Sequence, residues 1–230
     1  MCIFSPVCSS NFVPKIYLMN QAQLLRQAEA FVKTELQHDS SGHDWYHICR
    51  VTKLARKIAD HENANKFICE LAALLHDIAD EKLNESKEAG LQKVENWLTQ
   101  NGANKETTDQ VMEIISTLSY SAEKQMQTLE GKVVQDADRL DALGAIGIAR
   151  TFAYSGWKGQ LMYDPEIPVR ENMSKEEYRS GKSTAINHFH EKLFKLKDLL
   201  NTTYARQLVE ERHRYMQEFV QRFMAEWEGE

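Results

Sequence analysis

The stretch LAALLHDIADEK, residues 71–82, begins as a helix suited to a protein core and then places an imidazole next to a carboxylate. Its apolar residues recur at helical spacing, so one face of the helix should be buried. His76 and Asp77 interrupt that apolar run. Because a buried charged group is costly unless it is paired, the interruption requires a chemical explanation.

The same helical spacing of apolar residues continues on both sides of this stretch, and no strand-like alternation accompanies it. The pattern predicts an all-α helical bundle with functional side chains projecting from its helices. Residues 155–180 collect most of the turn-forming residues and should form the long loop of the fold. The expected helices cover residues 20–37, 44–61, 65–79, 85–100, 104–119, 132–154, 182–200 and 202–228.

The length and charge of the chain limit what it can be. With 230 residues it can bury one substantial core, and we expect a single domain over residues 19–230 after a poorly ordered extension at residues 1–18. The net charge of −6 disfavours a general nucleic-acid binder, which would carry a basic face. It leaves room for a local basic pocket that binds a phosphate ester.

Cysteine usage and hydropathy indicate the compartment. Cys2, Cys8, Cys49 and Cys69 show neither CxxC spacing nor the density of a disulfide scaffold. A reducing cytoplasm is therefore the expected location. No run of about 18 apolar residues occurs, so we expect no membrane partner.

Four polar side chains fall at positions that the helical pattern predicts to be buried or at the edge of a buried stripe. His47 lies at the edge of the apolar stripe of HDWYHICRVTKLARKIA, and His76 and Asp77 interrupt the next apolar helix. Asp136 is in phase with the apolar residues of KVVQDADRLDALGAIGIAR, so it should point inward. Its neighbour Asp138 should lie on the opposite side of that helix.

A shared cation would make these four positions compatible with burial. Two carboxylates that are buried close together repel each other, and each loses its hydration. Two imidazoles and two carboxylates form a ligand set suited to one divalent ion, with manganese favoured over magnesium, cobalt, nickel, iron and zinc. The alternative is a set of satisfied core histidines with ordinary salt bridges, which explains each residue singly but not all four together.

The order of these residues resembles the HD-domain superfamily of metal-dependent phosphohydrolases, whose metal ligands follow the order His, His-Asp, Asp. The segments SGHDWYHICRV, ALLHDIADEK, VVQDADRLDALGAIGIAR and STAINHFHEKLFKLKDLLNT are similar to a small bacterial branch of HD hydrolases. The resemblance runs from about residue 20 to the C-terminus. Some members of this branch are nucleotide pyrophosphohydrolases.

The resemblance implies that His47, His76, Asp77 and Asp136 are the metal ligands. Superfamily members that hold a second metal through their own side chains usually add histidines between the His-Asp pair and the last Asp. Residues 78–135 contain no histidine. We therefore expect a single tightly held ion.

His43 is a second candidate for the first ligand, because it lies four residues before His47 on the same helical face. The family pattern places its first ligand directly before the apolar stretch that ends in RV, which favours His47. His43 would then contact the metal ligands or the substrate. Asp44 is either a substrate-side group or the cap of the helix.

The reaction class that the resemblance implies requires positive groups and a base. Lys82 follows the ligand pair closely and Arg50 lies one turn after His47, so both are candidates to hold phosphate. Asp80 occupies the position at which related enzymes place a general base. Lys192 and His188 share a face of a later helix and are candidates for contacts with the far phosphates or the base of the substrate, although a solvated face explains them equally well.

Two further features of the segment after Asp136 have structural interpretations. Asp141 is expected to hold either Arg139 or a ligand histidine in place. Gly144 and Gly147 more plausibly permit close helix packing than bind phosphate, because a single GxxG inside a helix carries little information.

Together these features predict a cytoplasmic, metal-dependent phosphohydrolase that cleaves a phosphoanhydride or phosphoester bond of a small nucleotide-like substrate. Conversion of a nucleoside triphosphate to the monophosphate and pyrophosphate is one such reaction. The alternatives are a phosphomonoesterase, a cyclic-nucleotide phosphodiesterase, or a non-catalytic domain in which the metal only joins the helices and the pocket senses a nucleotide. The oligomeric state is not predicted.

Overall fold

The described part of the chain is helical, and most of its helices begin at a residue whose side chain caps the first turn. The computed structural model describes residues 15–37, 44–81, 83–118, 126–171 and 181–230, and no β-strand occurs within these ranges. The helices are α1 (Lys15–Glu35), α2 (Trp45–Glu62), α3 (Lys66–Leu75), α4 (Lys87–Gln100), α5 (Lys105–Thr117), α6 (Leu129–Asp141), α7 (Gly144–Trp157), α8 (Ala185–Glu191) and α9 (Thr203–Trp227). The all-α prediction is confirmed.

The beginning and end of α2 show how local chemistry defines a helix here. A carboxylate oxygen of Asp44 accepts a hydrogen bond from the backbone N–H of His47 at 2.8 Å, so Asp44 is an N-cap. At the other end Asn63 adopts a left-handed conformation, with φ of 58°, that stops the helix. These caps fix the register of the helix that carries His47.

The hydrophobic core lies around α2 and α3. The apolar stripe of α2 is fully buried, and this helix packs mainly against α3 and α6. Helix α1 covers α3, and the rings of Phe31 and Trp97 stack with centroids 5.3 Å apart between α1 and α4. Because α2, α3 and α6 pack against one another, functional groups at their facing edges are brought together.

Two predicted helices change their geometry beside functional residues. The helix expected over residues 65–79 is α-helical only to Leu75, and His76–Ala79 form a 3₁₀ helix. The helix expected over residues 132–154 is divided into α6 and α7, because Gly144 adopts a φ of +77° that an α-helix does not permit. The break reorients the chain directly after the aspartate-rich part of α6.

Close packing explains Gly147 as well. A Cβ atom on Gly147 would collide with the backbone carbonyl oxygen of Ala142, so only glycine fits there. On Gly144 a Cβ atom would lie 3.1 Å from the Arg212 side chain. Both glycines therefore serve helix packing, as expected.

The predicted long loop ends in an anchored segment. Trp157 is the last residue of α7, and the chain then runs through turns to residue 171. Arg170 Nε and Nη2 donate to the two carboxylate oxygens of Glu191 at 2.9 and 2.8 Å, which ties this segment to α8. Residues 172–180 lie outside the described residues.

The C-terminal helices also differ from the expected single run over residues 182–200. Helix α8 ends at Glu191, Lys192 leaves the helical conformation with φ of −134°, and a 3₁₀ helix follows over Leu193–Leu199. The last helix, α9, matches its predicted range closely.

The structure describes only part of the predicted N-terminal extension. Helix α1 begins at Lys15, earlier than expected, and residues 1–14 of the predicted extension lie outside the described residues, so the domain division at residue 19 stays a prediction. Among the described helices, none combines the length and the apolar character that crossing a bilayer requires.

Candidate metal centre

The two histidines are oriented by bonds to their Nδ1 atoms. His47, on α2, has its Nδ1 atom 2.8 Å from a carboxylate oxygen of Asp141. His76, at the start of the 3₁₀ helix, has its Nδ1 atom 2.8 Å from the backbone carbonyl oxygen of Ala73. Carbonyl and ionised carboxylate oxygens only accept, so both Nδ1 atoms carry a proton and the two Nε2 atoms are the ring nitrogens left to face the carboxylates of the centre.

Both Nε2 atoms face the same two carboxylates. Nε2 of His47 lies 3.4 Å from an oxygen of Asp77 and 3.6 Å from an oxygen of Asp138. Nε2 of His76 lies 3.2 Å from the other oxygen of Asp77 and 4.0 Å from the same oxygen of Asp138. One ligand atom from each of His47, His76 and Asp138 lies within 4.8 Å of the other two.

This cluster has the properties of a cation site. The Nε2 atom of His76 is buried and makes no hydrogen bond with any described residue, which is a cost that coordination would remove. Imidazole nitrogens and carboxylate oxygens in these numbers suit a first-row divalent ion. The Asp138 side chain is 37% exposed whereas the His47 side chain is fully buried, so the cluster opens to solvent on the Asp138 side.

The structure corrects the predicted role of Asp136. Its side chain is fully buried, as predicted, but both of its oxygens accept hydrogen bonds from the segment before α9. Asn201 donates through its backbone N–H at 2.9 Å and through Nδ2 at 2.8 Å, and Thr202 donates through its backbone N–H at 2.7 Å and its hydroxyl at 2.8 Å. Asp136 therefore compensates its burial with protein donors, and the structure does not bring it to the two histidines.

Asp138 occupies the place that was predicted for Asp136. It was expected on the side of the helix opposite to Asp136, and the two side chains do face different elements. The prediction was wrong about which side meets the histidines, because Asp136 turns to the C-terminal segment and Asp138 faces α2. Asp138 and Asp141 are three residues apart on α6, so they share a face. That face is the one that meets His47, since Asp141 binds Nδ1 of His47 and Asp138 lies near Nε2.

Asp141 organises the surroundings of His47. One oxygen accepts from Arg50 Nε at 2.7 Å, and the other accepts from Arg50 Nη2 at 3.0 Å and from Arg150 Nη1 at 2.8 Å. Of the two roles left open for Asp141, the structure shows the contact with the histidine. Arg50, a predicted phosphate holder, uses two of its N–H groups on Asp141 and has a partly exposed side chain. Arg150 was not predicted, and no local sequence signal marks it.

The charges around His47 shift its protonation. Burial by itself would lower the pKa of His47, but hydrogen bonds with Asp141 and Asp77 and the charges of Asp77 and Asp138 raise this pKa to about 9. Burial would raise the pKa of Asp141, and its bonds with His47 and Arg50 instead hold that pKa far below the usual range. The charges of the centre thus favour a positive group, which is a proton on His47 or a metal ion.

The remaining predicted site residues are placed as follows. Asp80 is half-buried and directly follows the 3₁₀ helix that carries His76 and Asp77, with its backbone N–H bonded to the Asp77 carbonyl oxygen at 3.0 Å. Its proposed role as the base stays a prediction. His43 and Lys82 lie outside the described residues.

His188 and Lys192 are grouped at the end of α8 with Arg170. Burial, followed by the positive charges of Lys192 and Arg170, lowers the pKa of His188 to about 4. His188 is therefore neutral at pH 7, and a phosphate contact at this place would have to come from the two cations. The substrate role of both predicted residues stays a prediction.

Comparisons with known proteins agree with this arrangement. The HD domain family matches residues 44–143, the segment that contains the whole cluster. The uncharacterised protein YpgQ of Bacillus subtilis is 41% identical over 206 residues, which cover 88% of this chain and 93% of that protein.

Two solved structures illustrate the similarity of the fold. An HD-superfamily hydrolase from Bacillus thuringiensis is 51% identical with a TM-score of 0.74, and the alignment covers 91% of this chain and 100% of that chain. Bacillus subtilis YpgQ, crystallised in complex with ADP, is 40% identical with a TM-score of 0.73, and the alignment covers 89% of this chain and 98% of that chain. Together with the matched segment and the His, His-Asp, Asp cluster, these similarities show that the chain belongs to the HD-domain superfamily of hydrolases.

Proposed function

We propose that this protein is a metal-dependent phosphohydrolase that hydrolyses a phosphoanhydride bond of a small nucleotide, for example a nucleoside triphosphate to the monophosphate and pyrophosphate. The observation that carries the proposal is the meeting of His47, His76 and Asp138 within 4.8 Å, with Asp77 beside them. The membership of the chain in a superfamily of hydrolases supports the same reaction class.

HD domains bind divalent metals, and the donor set described above fits such an ion. His47 and His76 would hold it through Nε2, and Asp77 and Asp138 through carboxylate oxygens. When bound, the ion supplies positive charge that polarises a phosphoryl oxygen and lowers the pKa of water. We favour a single ion and, among the candidate metals, manganese.

The residues of the chain contribute orientation and charge. Asp141 holds one proton of His47 on Nδ1, so Nε2 is the ring nitrogen that would coordinate the ion once its own proton is displaced. Arg50 and Arg150 keep Asp141 ionised by donating to both of its oxygens. Asp80 is the proposed base that takes a proton from the attacking water.

A nucleotide is the proposed substrate for two reasons. YpgQ, which is 40% identical to this chain, was crystallised in complex with ADP. In addition, the Arg50 side chain at the edge of the centre keeps N–H groups beyond the two that Asp141 accepts, and a phosphate can accept from these. We also place the protein in the cytoplasm, because its four cysteines lack the spacing and density of a disulfide scaffold.

The test is a metal-supplemented screen of nucleoside mono-, di- and triphosphates and of cyclic nucleotides with metal-depleted protein. Phosphate and pyrophosphate should be measured separately, because they distinguish a phosphomonoesterase from a pyrophosphohydrolase. We expect turnover only after a divalent ion is added, with pyrophosphate as the released product.

Asp138→Ala should abolish both stoichiometric metal binding and turnover. The matched control is Asp109→Ala, which removes an exposed helical aspartate paired with Lys105 and should leave both unchanged. Stoichiometric metal binding without hydrolysis of any nucleotide in the screen would overturn the enzyme assignment and favour the nucleotide-sensing alternative.

A further inference from the structure

A cavity of about 360 Å³ lies beside the metal centre and shares only two side chains with it. Arg50 and Asp141 form the common wall. The other lining residues come from three separate elements, namely α2, the start of α7, and α9. They are Lys53, Leu54, Leu143, Gly144, Ala145, Ile146 and Arg212. A cleft that is open to solvent and lined by several elements can hold a small ligand in a defined position.

The charge of the cavity wall is positive although the protein as a whole is negative. Arg50, Lys53 and Arg212 carry three positive charges, and Asp141 is the single acidic residue of the lining. The carboxylate of Asp141 already accepts from His47, Arg50 and Arg150, so it is not available to Lys53 or Arg212 as a close partner. In a chain with a net charge of −6, this local excess of cations needs an explanation.

Arg212 is the half-buried cation of the lining that comes from α9. Its Nη1 atom donates to the backbone carbonyl oxygen of Leu140, and within the described ranges it forms no ion pair with a carboxylate. Burial lowers the pKa of Arg212, and the more distant charge of Asp141 only partly offsets this effect. A half-buried guanidinium without a counter-ion is costly, and an anion in the cavity would remove that cost.

The remaining walls fit a phosphate-bearing molecule. Helix α7 begins at Gly144 without a side-chain cap, so the cavity also meets the positive end of a 14-residue helix. Leu54, Leu143 and Ile146 add an apolar surface next to these positive groups. The lining thus combines charge for phosphate oxygens with apolar contact area.

We propose that this cavity binds a phosphate-bearing anion, either inorganic pyrophosphate or the phosphate groups of a nucleotide, and that it does so without a metal ion. Arg212 and Lys53 are the residues that bind the anion, and Arg50 forms the wall that the cavity shares with the metal centre. The site is additional to the metal-facing substrate site, and binding there does not depend on the proposed hydrolysis.

The test uses the full-length protein in the presence of a chelator, so that no phosphate can be held through a metal. Calorimetric titration with pyrophosphate, and separately with ADP, should show binding at a single site. Tighter binding of ADP would identify a nucleotide as the occupant, because the apolar wall would contact its base. Equal affinities would identify the inorganic anion.

The variants locate the anion. Arg212→Gln should weaken binding about tenfold, since one charge-assisted hydrogen bond is lost. Lys53→Met should weaken it about threefold, because Lys53 is exposed and contributes through a screened charge. Arg214→Gln is the matched control, because Arg214 is exposed on the same helix and does not line the cavity, and it should bind as the wild type does.

Two outcomes overturn the proposal. One is the absence of any binding by the wild-type protein at millimolar pyrophosphate and ADP. The other is unchanged affinity in Lys53→Met together with unchanged affinity in Arg212→Gln. If Arg212→Gln does not fold because its bond to Leu140 is lost, Lys53→Met alone decides. Loss of turnover in the metal-supplemented screen would leave this result intact, so the two proposals fail independently.

Discussion

Replacement of Asp136 by alanine separates the structural aspartate of α6 from the proposed metal ligand on the same helix. The carboxylate of Asp136 accepts from two donors on Asn201 and two on Thr202. Asp138, two residues later, lies at the open side of the centre beside His47. Removal of the Asp136 carboxylate should therefore lower stability, whereas removal of the Asp138 carboxylate should weaken metal binding.

The loss of stability depends on which donors lose their partner at a place that water cannot reach. Thr202 is 4% exposed, so its N–H and hydroxyl would be left unsatisfied in the Asp136→Ala variant, at about 1–3 kcal/mol for each group. Asn201 is half-buried, so water can replace part of its bonds. We expect Asp136→Ala to lower the free energy of unfolding by about 3 kcal/mol. Asp138→Ala should change it by less than about 1 kcal/mol, because its side chain is partly exposed.

The assay combines urea unfolding of the metal-free proteins with a metal titration against a fluorescent chelator under native conditions. Folded Asp136→Ala should bind one Mn²⁺ with nearly wild-type affinity. Asp138→Ala should unfold at nearly the wild-type urea concentration and bind Mn²⁺ at least about 100-fold more weakly. If Asp136→Ala is as stable as the wild type but loses the metal, the assignment of these two aspartates is reversed and our reasoning is refuted.

Three further predictions concern the same region. Asp141→Asn should weaken metal binding by about 10- to 100-fold in the chelator assay, since the neutral amide no longer fixes the proton of His47 on Nδ1; unchanged affinity would contradict this role. The pKa of His47 is raised from its ordinary value of 6.5 to about 9 in the folded protein, so protonation of His47 stabilises the metal-free protein fully below pH 6.5, and this stabilisation is lost as the pH rises through 9. Urea unfolding of the wild type and of His47→Gln in a chelator, at pH 6 and at pH 9, measures this stabilisation. A difference in unfolding free energy between the two proteins that is the same at both pH values would count against it. Gly147→Ala should lower the free energy of unfolding by about 2–4 kcal/mol, because the new Cβ would meet the Ala142 carbonyl oxygen. Gly156→Ala in the same helix should raise it by up to about 1 kcal/mol, because its Cβ would meet nothing within 4 Å. Similar thermal stabilities of the two variants would argue against the clash.

The sequence was sufficient for the elements whose boundaries depend on local chemistry. Helix α2 follows from an apolar stripe and a capping aspartate, and α9 follows from its long amphipathic pattern. The break between α6 and α7 was not predicted, because apolar spacing continues across it while Gly144 takes a positive φ. A periodic pattern reports which side chains face the core, and it does not report a change of direction at one glycine.

The candidate site shows the same limit at the level of side chains. His47, His76 and Asp77 were predicted together and lie together in the structure, and their role as ligands stays a prediction. The burial of Asp136 was also predicted correctly, but the reason for it was wrong. Its partner, Thr202, lies 66 residues further along the chain, and helical phase does not indicate which distant segment will supply donors.

The bonds of Asp136 also connect the segment that matches the HD domain to the C-terminal part of the chain. The segment that matches the HD domain, residues 44–143, contains every side chain of the proposed centre. A polypeptide limited to that segment would nevertheless bury a carboxylate whose donors, Asn201 and Thr202, are missing. We therefore expect the family segment alone to be less stable than the same segment within the whole chain, and a chain that ends before residue 202 to lose the donors of Asp136 as well as the last helix.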